Sequence, residues 1–221
     1  MIIVFDLDDT LYEEMKFVKG GMKSVAKYLK EILQENEESI YNELINILES
    51  EGRNKLFDKF LLIRKRFNKK LIAKCINIYR FHTPNINLSP DAELFLKLNK
   101  KHPKYLVTDG NKIVQARKVK YLKIEKYFKK IFITHRYGKK NSKPSLYCFE
   151  KIKSIENCNW EDLVYIGDNP NKDFVSLNKV NAKTIRIKKG NYSHIVLSKS
   201  FEAKYTIKSL DNLDLLLQRI F

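Results

Sequence analysis

Three carboxylates and a hydroxyl follow a short apolar run at the start of the chain, in the order Asp6-Leu7-Asp8-Asp9-Thr10. The run, residues 2–5, has the bias toward β-branched side chains of a strand buried on both faces. Side chains two apart in an extended chain point the same way, so Asp6 and Asp8 can face one point while Asp9 serves the turn. Two carboxylates held together are unfavourable unless a cation or a proton lies between them. The stretch predicts a cation-binding or acid–base site; an acidic surface turn is the alternative.

Polar side chains also follow three further stretches that have the pattern of buried strands. Thr108 follows the second predicted strand, Asp168 and Asp173 follow the fourth, and Lys143 ends the polar loop after the third. If the strands are parallel, their carboxyl ends meet at one edge of a sheet, where open α/β folds place their sites. Carboxylates, a hydroxyl and an amine at corresponding strand ends therefore predict one shared site.

The elements that would position these residues alternate between strand and helix from Ser89 onward. Ser89 is expected to cap the helix that begins at Pro90, and Pro144 to begin the helix after the third strand. The predicted strands are residues 2–5, 104–107, 131–134, 163–166, 184–187 and 205–207. This alternation predicts the fold class α/β, with a Rossmann-like parallel sheet wrapped by helices.

One long segment interrupts this alternation with helical periodicity alone. Residues 13–80 show apolar positions three or four apart over four segments, with no strand pattern between them. Ser39 is expected to cap the second of these helices. We therefore expect an all-α helical-bundle domain at 13–80, inserted into a core domain made of 1–12 and 81–221.

The charge of the chain is strongly basic, with 43 Lys and Arg against 26 Asp and Glu and a formal net charge of +17. The basic residues are scattered and interleaved with acids, and lysine far outnumbers arginine, so the balance favours a solvated surface over nucleic-acid binding. In so lysine-rich a chain a single lysine is a weak signal. Lys139 and Lys140 compete with Lys143, which is preferred because it directly precedes Pro144.

The 3 cysteines lie far apart, at Cys75, Cys148 and Cys158, and form no C-x-x-C pair. Such an odd, sparse set favours free thiols in a reducing compartment over disulfides or a thiolate metal site. Cys75 and Cys148 fall at apolar positions of helical segments and are expected in the core. No apolar run reaches the length of a membrane span, and we expect a cytoplasmic protein with no membrane partner.

The polar strand ends resemble, in order, the four motifs of the haloacid dehalogenase (HAD) superfamily of phosphohydrolases. Motif one is similar to residues 6–10, motif two to 106–110, motif three to Lys143-Pro144, and motif four to Gly167-Asp168 with Asp173. The resemblance covers residues 1–12 and 88–187. The carboxylate two positions after the first aspartate points to phosphoryl transfer, since the dehalogenases of this superfamily lack it.

The resemblance implies a role for each acid. Asp6 would be the nucleophile that forms an aspartyl-phosphate, and Asp8 would give a proton to the leaving group and then activate water. Asp6, the backbone carbonyl of Asp8 and Asp168 would hold Mg²⁺. Asp173 would support the metal indirectly or through water. The implied enzyme is a Mg²⁺-dependent phosphatase.

The resemblance also implies how phosphate is held. Thr108 and the backbone amides of Asp109 and Gly110 would grip the phosphate oxygens, and Lys143 would neutralise the transferring group. The inserted helical bundle is similar to the cap domain of the superfamily, which favours small substrates over macromolecules. Arg53, on a loop of this bundle, would contact a second anionic group.

The sequence leaves the substrate and two alternative chemistries open. A sugar phosphate and a nucleoside monophosphate both fit a small phosphorylated metabolite. A sugar phosphomutase uses the same motifs and stays an alternative, as does a phosphonatase, which would need a Schiff-base lysine from the helical bundle. A non-catalytic basic protein that binds nucleic acid is the alternative of another class, although paired acids have no use beside the phosphates of a bound nucleic acid.

Overall fold

The computed structural model describes all 221 residues and divides them into two compact units. One unit comprises Met1–Glu14 with Ile86–Phe221, and the other comprises Met15–Asn85. The first contains every strand of the chain, whereas the second is built from helices alone. We call them the sheet unit and the helical unit.

Six parallel strands form the sheet, in the order β3-β2-β1-β4-β5-β6. Their bounds are β1 Ile2–Phe5, β2 Lys104–Thr108, β3 Lys130–Ile133, β4 Leu163–Gly167, β5 Lys183–Ile187 and β6 Tyr205–Ile207. β1 lies in the middle, where Phe5 pairs with Leu106 of β2 and Ile166 of β4. The residues that follow these three strands therefore reach the same edge. The predicted α/β class with a Rossmann-like parallel sheet is confirmed.

Nine α-helices complete the two units. They are α1 Glu14–Leu33, α2 Glu37–Glu51, α3 Leu56–Ile63, α4 Lys69–Phe81, α5 Pro90–Leu98, α6 Lys112–Leu122, α7 Tyr147–Glu156, α8 Val175–Lys179 and α9 Leu213–Ile220. None of them is long and apolar enough to cross a membrane. β1, β2 and β4 are buried along their whole length, as strands covered by helices on both faces must be.

The helical unit has an apolar core of its own. Its fully buried members include Val25, Leu29, Ile40, Leu44, Phe60 and Leu61. Cys75 is also buried in this core, as expected from its apolar position. Arg64 donates hydrogen bonds to the carboxylates of Glu35 and Glu43, which ties the end of α3 to the region of α2.

Two helix starts differ from prediction in their caps. Asn36, not Ser39, caps α2: its Oδ1 accepts hydrogen bonds from the backbone N–H groups of Glu38 and Ser39. Ser89 does occupy the cap position of α5, but its hydroxyl donates to the carbonyl of Leu11 at 3.2 Å instead of accepting from the helix. A short polar side chain near a helix start has several possible partners, and the sequence does not rank them.

The helix after β3 begins later than predicted, at Tyr147 and not at Pro144. The peptide bond between Lys143 and Pro144 is cis. The residues around it form a turn closed by a hydrogen bond from the Ser145 N–H to the Ser142 carbonyl, at 2.9 Å. This turn is anchored from β2, since the Lys143 N–H donates to Oδ1 of Asp109 at 3.2 Å.

Candidate active site

Asp6 lies directly at the carboxyl edge of the sheet. Its backbone N–H donates to the Ile166 carbonyl at 2.8 Å, which extends the pairing of β1 with β4 by one residue. The side chain is almost wholly buried, with 4% of the residue exposed. The backbone of Asp6 is thereby held in line with β1, and its buried side chain has little freedom to reorient.

Asp6, Asp168 and Asp173 form a cluster of three buried carboxylates. One oxygen of each lies within 4.8 Å of an oxygen of the others. Burial raises the pKa of Asp6, an effect that Lys143 opposes and Asp173 reinforces. Burial, then Asp173 and Asp6, likewise raise the pKa of Asp168. A bound divalent cation would relieve this crowding, and carboxylate oxygens are the ligands that Mg²⁺ prefers.

Lys143 lies against this cluster with its side chain almost completely buried. Its Nζ is 3.0 Å from Oδ1 of Asp6 and 2.8 Å from Oδ1 of Asp173. Burial would lower the pKa of Lys143, but the two carboxylates outweigh it and raise that pKa well above its usual range. Lys139 and Lys140, the competing lysines, are exposed to solvent. The geometry therefore favours Lys143 as the cation of the site.

Asp173 has hydrogen-bond partners on both carboxylate oxygens. Oδ1 receives Lys143 and, at 3.2 Å, the hydroxyl of Tyr165, while Oδ2 receives the backbone N–H of Asn169 at 2.9 Å. Tyr165 also accepts a hydrogen bond from Lys143 at 2.8 Å. Both oxygens are thus already engaged, an arrangement that favours an indirect role beside a metal over direct ligation.

Asp8 follows β1 two residues after Asp6, and three donors bind its carboxylate. Tyr12 Oη donates to Oδ1 at 2.6 Å, and Lys118 Nζ lies 2.7 Å from the same oxygen. Gln115 Nε2 donates to Oδ2 at 2.9 Å. The same amide donates to Oγ1 of Thr108 at 2.6 Å, so one side chain joins the ends of β1 and β2.

The loop after β2 is ordered by the side chain of Asp109. Its Oδ1 accepts from the Thr134 hydroxyl at 2.7 Å and from the Lys143 N–H, and its Oδ2 lies 3.2 Å from Lys172 Nζ. Burial would raise the pKa of Asp109, but Lys143 and Lys172 hold it below its usual value. The sequence suggested only the backbone amides of Asp109 and Gly110 as functional groups. The carboxylate additionally links three strand ends.

Asp9 lies outside the carboxylate cluster of Asp6, Asp168 and Asp173. It has a positive φ of 51°, and its Oδ1 accepts the backbone N–H of Glu14 at 2.9 Å. Its Oδ2 accepts the N–H of Asn191 from the loop after β5, at 3.4 Å. Asp9 therefore shapes the turn after β1 and holds a distant loop beside it.

Arg53 belongs to the helical unit, whereas the residues described so far belong to the sheet unit. It is exposed on the connection between α2 and α3, next to Gly52, which ends α2. Its predicted contact with substrate stays a prediction.

Sequence reasoning missed Gln115, Lys118 and Tyr12. Gln115 and Lys118 are separated from Asp8 by 107 and 110 residues, so no local pattern connects them. The available signal was their spacing of three on α6, which puts two polar side chains on one face of a helix. That face is buried, with 2% of Gln115 and 3% of Lys118 exposed.

A comparison with protein families shows the family to which the chain belongs. Residues 3–187 match the family described as haloacid dehalogenase-like hydrolase, which spans most of the chain. The chain belongs to this family. The predicted superfamily is confirmed, and the chain is a hydrolase of the HAD superfamily.

Curated relatives align over nearly the whole chain. The glyceraldehyde 3-phosphate phosphatase of Pyrococcus furiosus is 26% identical over 227 residues, covering 99% of this chain and 93% of the relative. The enzyme of the same name from Methanocaldococcus jannaschii is 28% identical over 220 residues, covering 96% and 94%. That from Methanopyrus kandleri is 27% identical over 205 residues, covering 86% and 84%.

Solved structures share the fold of this HAD hydrolase. A 2-haloacid dehalogenase from Pseudomonas syringae has a TM-score of 0.67 at 18% identity, with 99% of each chain covered. A putative HAD hydrolase from Bacillus subtilis, described as bound to magnesium, has a TM-score of 0.69 at 19% identity, covering 98% of this chain and 97% of that one. A HAD phosphatase from Thermococcus onnurineus has a TM-score of 0.64 at 19% identity, covering 98% and 97%.

Proposed function

We propose that this HAD hydrolase is a Mg²⁺-dependent phosphatase of a small sugar phosphate that acts through a phosphorylated Asp6. Four curated relatives carry the name glyceraldehyde 3-phosphate phosphatase. Their names confirm the predicted enzyme class, a phosphoric monoester hydrolase. They favour a triose phosphate over the nucleoside monophosphate that the sequence left open.

The observation that carries the proposal is the pair Asp6 and Asp8 at the end of β1. Asp6 is buried against Lys143, as a nucleophile facing an anion requires, because the ammonium offsets the repulsion between carboxylate and phosphate. Asp8 is only partly buried and lies outside the carboxylate cluster, where it can reach a leaving group. A displacement at carbon would need no such second acid.

The residues of the site then divide the steps of the reaction among them. An oxygen of Asp6 attacks phosphorus, forming the acyl-phosphate as the bond to the substrate oxygen breaks. Asp8 gives a proton to that leaving oxygen and afterwards takes one from the water that hydrolyses the acyl-phosphate. Thr108, the amides after it and Lys143 hold the phosphate oxygens while charge redistributes.

The donor set fits Mg²⁺. Asp6 and Asp168 with the backbone carbonyl of Asp8 would hold the ion, and Asp173 would orient its surroundings while paired with Lys143. When bound, Mg²⁺ would neutralise the phosphate and the clustered carboxylates, so that two anions can meet.

We further propose that the helical unit is a cap that favours small substrates. It is inserted between β1 and β2 and has its own apolar core, so it can move as a body. Arg53 on its exposed connection is the candidate for contacting the part of the substrate beyond the phosphate.

Release of inorganic phosphate from glyceraldehyde 3-phosphate tests the proposed function. We expect release with Mg²⁺, none with a chelator, and none from Asp6→Asn with Mg²⁺. Asp211→Asn, which removes an exposed acid far along the sequence, is the matched control and should keep full activity. Full activity of Asp6→Asn, or activity in chelator, contradicts the proposal. Turnover that needs a bisphosphorylated sugar and releases no net phosphate would indicate a phosphomutase.

A further inference from the structure

Two buried polar side chains of α6 face the end of β1, and the chemistry proposed above gives them no role. Gln115 and Lys118 lie three residues apart, on one face of the helix. Both are nearly inaccessible to solvent, although glutamine and lysine are rarely buried unless they have partners. Their shared partner is the carboxylate of Asp8.

The contacts fix Asp8 at both of its oxygens. Lys118 and Tyr12 reach Oδ1, and Gln115 reaches Oδ2. With donors on both oxygens, the plane of the carboxylate is set and its rotation about the side-chain bonds is restricted. Lys118 is itself oriented, because its Nζ also lies 3.2 Å from Oε1 of Glu14.

Gln115 adds a second restraint. Its Nε2 donates to Asp8 at 2.9 Å and to the hydroxyl of Thr108 at 2.6 Å. Thr108 is fully buried at the end of β2, so its hydroxyl has little choice of partner. The amide thereby holds the carboxylate of β1 at a fixed spacing from the hydroxyl of β2.

We propose that Gln115 and Lys118 are positioning residues, which hold the carboxylate of Asp8 at the angle needed for proton transfer. Gln115 also fixes the distance between this carboxylate and the hydroxyl of Thr108. The inference rests on the proposed phosphatase function, in which Asp8 protonates the leaving group and Thr108 grips phosphate. Proton transfer requires the acid within hydrogen-bond reach of the reacting oxygen, so a carboxylate that swings freely would transfer less often.

This role has a signature that a purely structural role lacks. A leaving group that is already a weak base departs without much help from an acid, whereas a more basic one needs the proton. Loss of positioning therefore slows phenyl phosphate more than p-nitrophenyl phosphate, two substrates of similar shape. Loss of folded protein, or of phosphate binding, slows both by the same factor. The ratio of the two kcat/KM values isolates the effect.

The experiment compares Lys118→Met and Gln115→Met with the wild type on both substrates in Mg²⁺. Val119→Ala is the matched control, because it truncates a buried residue next to Lys118 on α6 and removes none of the three donors to Asp8. In each Met variant we expect the ratio of kcat/KM for phenyl to p-nitrophenyl phosphate to fall by about tenfold, a part of what a general acid contributes. Val119→Ala should keep the wild-type ratio, and Lys118→Arg should recover part of it.

The outcomes distinguish a failure of the proposed phosphatase function from a failure of the positioning role. If the wild type releases no phosphate from either substrate, the proposed function fails. If the wild type is active and both Met variants keep its ratio, or lose both activities equally, Gln115 and Lys118 do not position Asp8. Should one Met variant fail to fold by circular dichroism, the other decides, together with Lys118→Arg, which keeps a cationic donor beside Asp8.

Discussion

Lys143 Nζ lies 3.0 Å from Oδ1 of Asp6 and 2.8 Å from Oδ1 of Asp173, while only 1% of the Lys143 side chain is exposed. One ammonium thus faces two buried carboxylates, with the third acid of the cluster, Asp168, beside them. A further cation, or a proton on one of the acids, would relieve the repulsion among the three carboxylates.

Removal of this ammonium should destabilise the protein as well as inactivate it. Lys143→Met leaves Asp6 and Asp173 buried without their cation, and we expect a loss of about 3–5 kcal/mol in the free energy of unfolding. Urea denaturation in chelator measures it. Lys140→Met is the control, since that lysine is exposed and should change stability by less than about 0.5 kcal/mol. Equal effects of the two variants would contradict the buried ion pair.

Mg²⁺ should stabilise the fold through the carboxylate cluster. At 100 times its dissociation constant a ligand of the native state adds about 2.7 kcal/mol, so the melting temperature should rise by several degrees. Asp168→Asn should lose this rise, yet be at least as stable as the wild type in chelator because one of three crowded acids is gone. Differential scanning fluorimetry with and without Mg²⁺ gives both results. A rise that survives in Asp168→Asn would place the metal elsewhere.

The pH dependence of stability should depend on Asp91, far along the chain from the cluster. Its Oδ2 accepts hydrogen bonds from Lys189, from the hydroxyl of Ser209 and from the N–H of Leu210. Burial would raise the pKa of Asp91, but Lys189 and the other donors outweigh it and hold the pKa well below its usual value. Because the folded pKa is the lower one, this stabilisation is present above about pH 4 and is lost as the pH falls further.

Asp91→Asn should therefore cost about 1–3 kcal/mol at pH 7 and much less near pH 2. Thermal unfolding followed by circular dichroism at both pH values checks the difference. Glu93→Gln on the same helix is the control, since its ion pair with Lys97 is solvent-exposed and should matter little at either pH. A cost of Asp91→Asn that does not change with pH would contradict the assignment.

Arg186 should be needed for the loop that follows β5. Its guanidinium is fully buried, donates to both carboxylate oxygens of Glu202 at 2.8 and 2.7 Å, and also reaches the carbonyls of Tyr192 and Ile195. Arg186→Lys cannot reproduce this fork, and we expect a loss of about 3 kcal/mol in urea denaturation. Lys188→Met, an exposed neighbour, should be close to wild type. A tolerated Arg186→Lys would show that a single charge is sufficient.

Arg53 should affect substrate binding and not the chemical step. Glyceraldehyde 3-phosphate has no second anionic group, so the test uses a phosphorylated carboxylic acid. If Arg53 contacts such a group, Arg53→Met should raise the KM for that acid by about tenfold and leave kcat nearly unchanged. For p-nitrophenyl phosphate, which carries no such group, KM should stay the same. Arg66→Met, an exposed arginine of the same unit, is the control. Equal changes on both substrates would contradict the contact.

The fold and the outline of the site were open to prediction because both follow from local pattern. Each strand is a short apolar run, and in a parallel sheet polar residues after such runs must share an edge. Asp6, Asp168 and Asp173 meet there, with Lys143 against them.

The features that the sequence did not predict depend on contacts between residues far apart in the chain and on where each helix begins. Gln115 and Lys118 reach Asp8 only in the folded chain, and nothing near them in the sequence marks that contact. The start of α7 shifted from Pro144 to Tyr147 because Asp109 holds the Lys143 amide in a turn. α2 begins before Ser39, so Asn36 is its cap and the N–H of Ser39 is itself one of the two groups that Asn36 binds.

Two glycines near the site, Gly167 and Gly190, make room for carboxylates that belong to other parts of the chain. A Cβ atom at Gly167 would lie 2.5 Å from Oδ2 of Asp173, and one at Gly190, where φ is +62°, would lie 2.1 Å from Oδ2 of Asp9. Neither position contributes a functional side chain, yet any side chain at Gly167 would displace Asp173, and any at Gly190 would displace Asp9. In a library that randomises every codon and is selected for activity, these two positions should be as intolerant of replacement as Asp6 itself, and a map of mutational sensitivity would mark them as if they were catalytic.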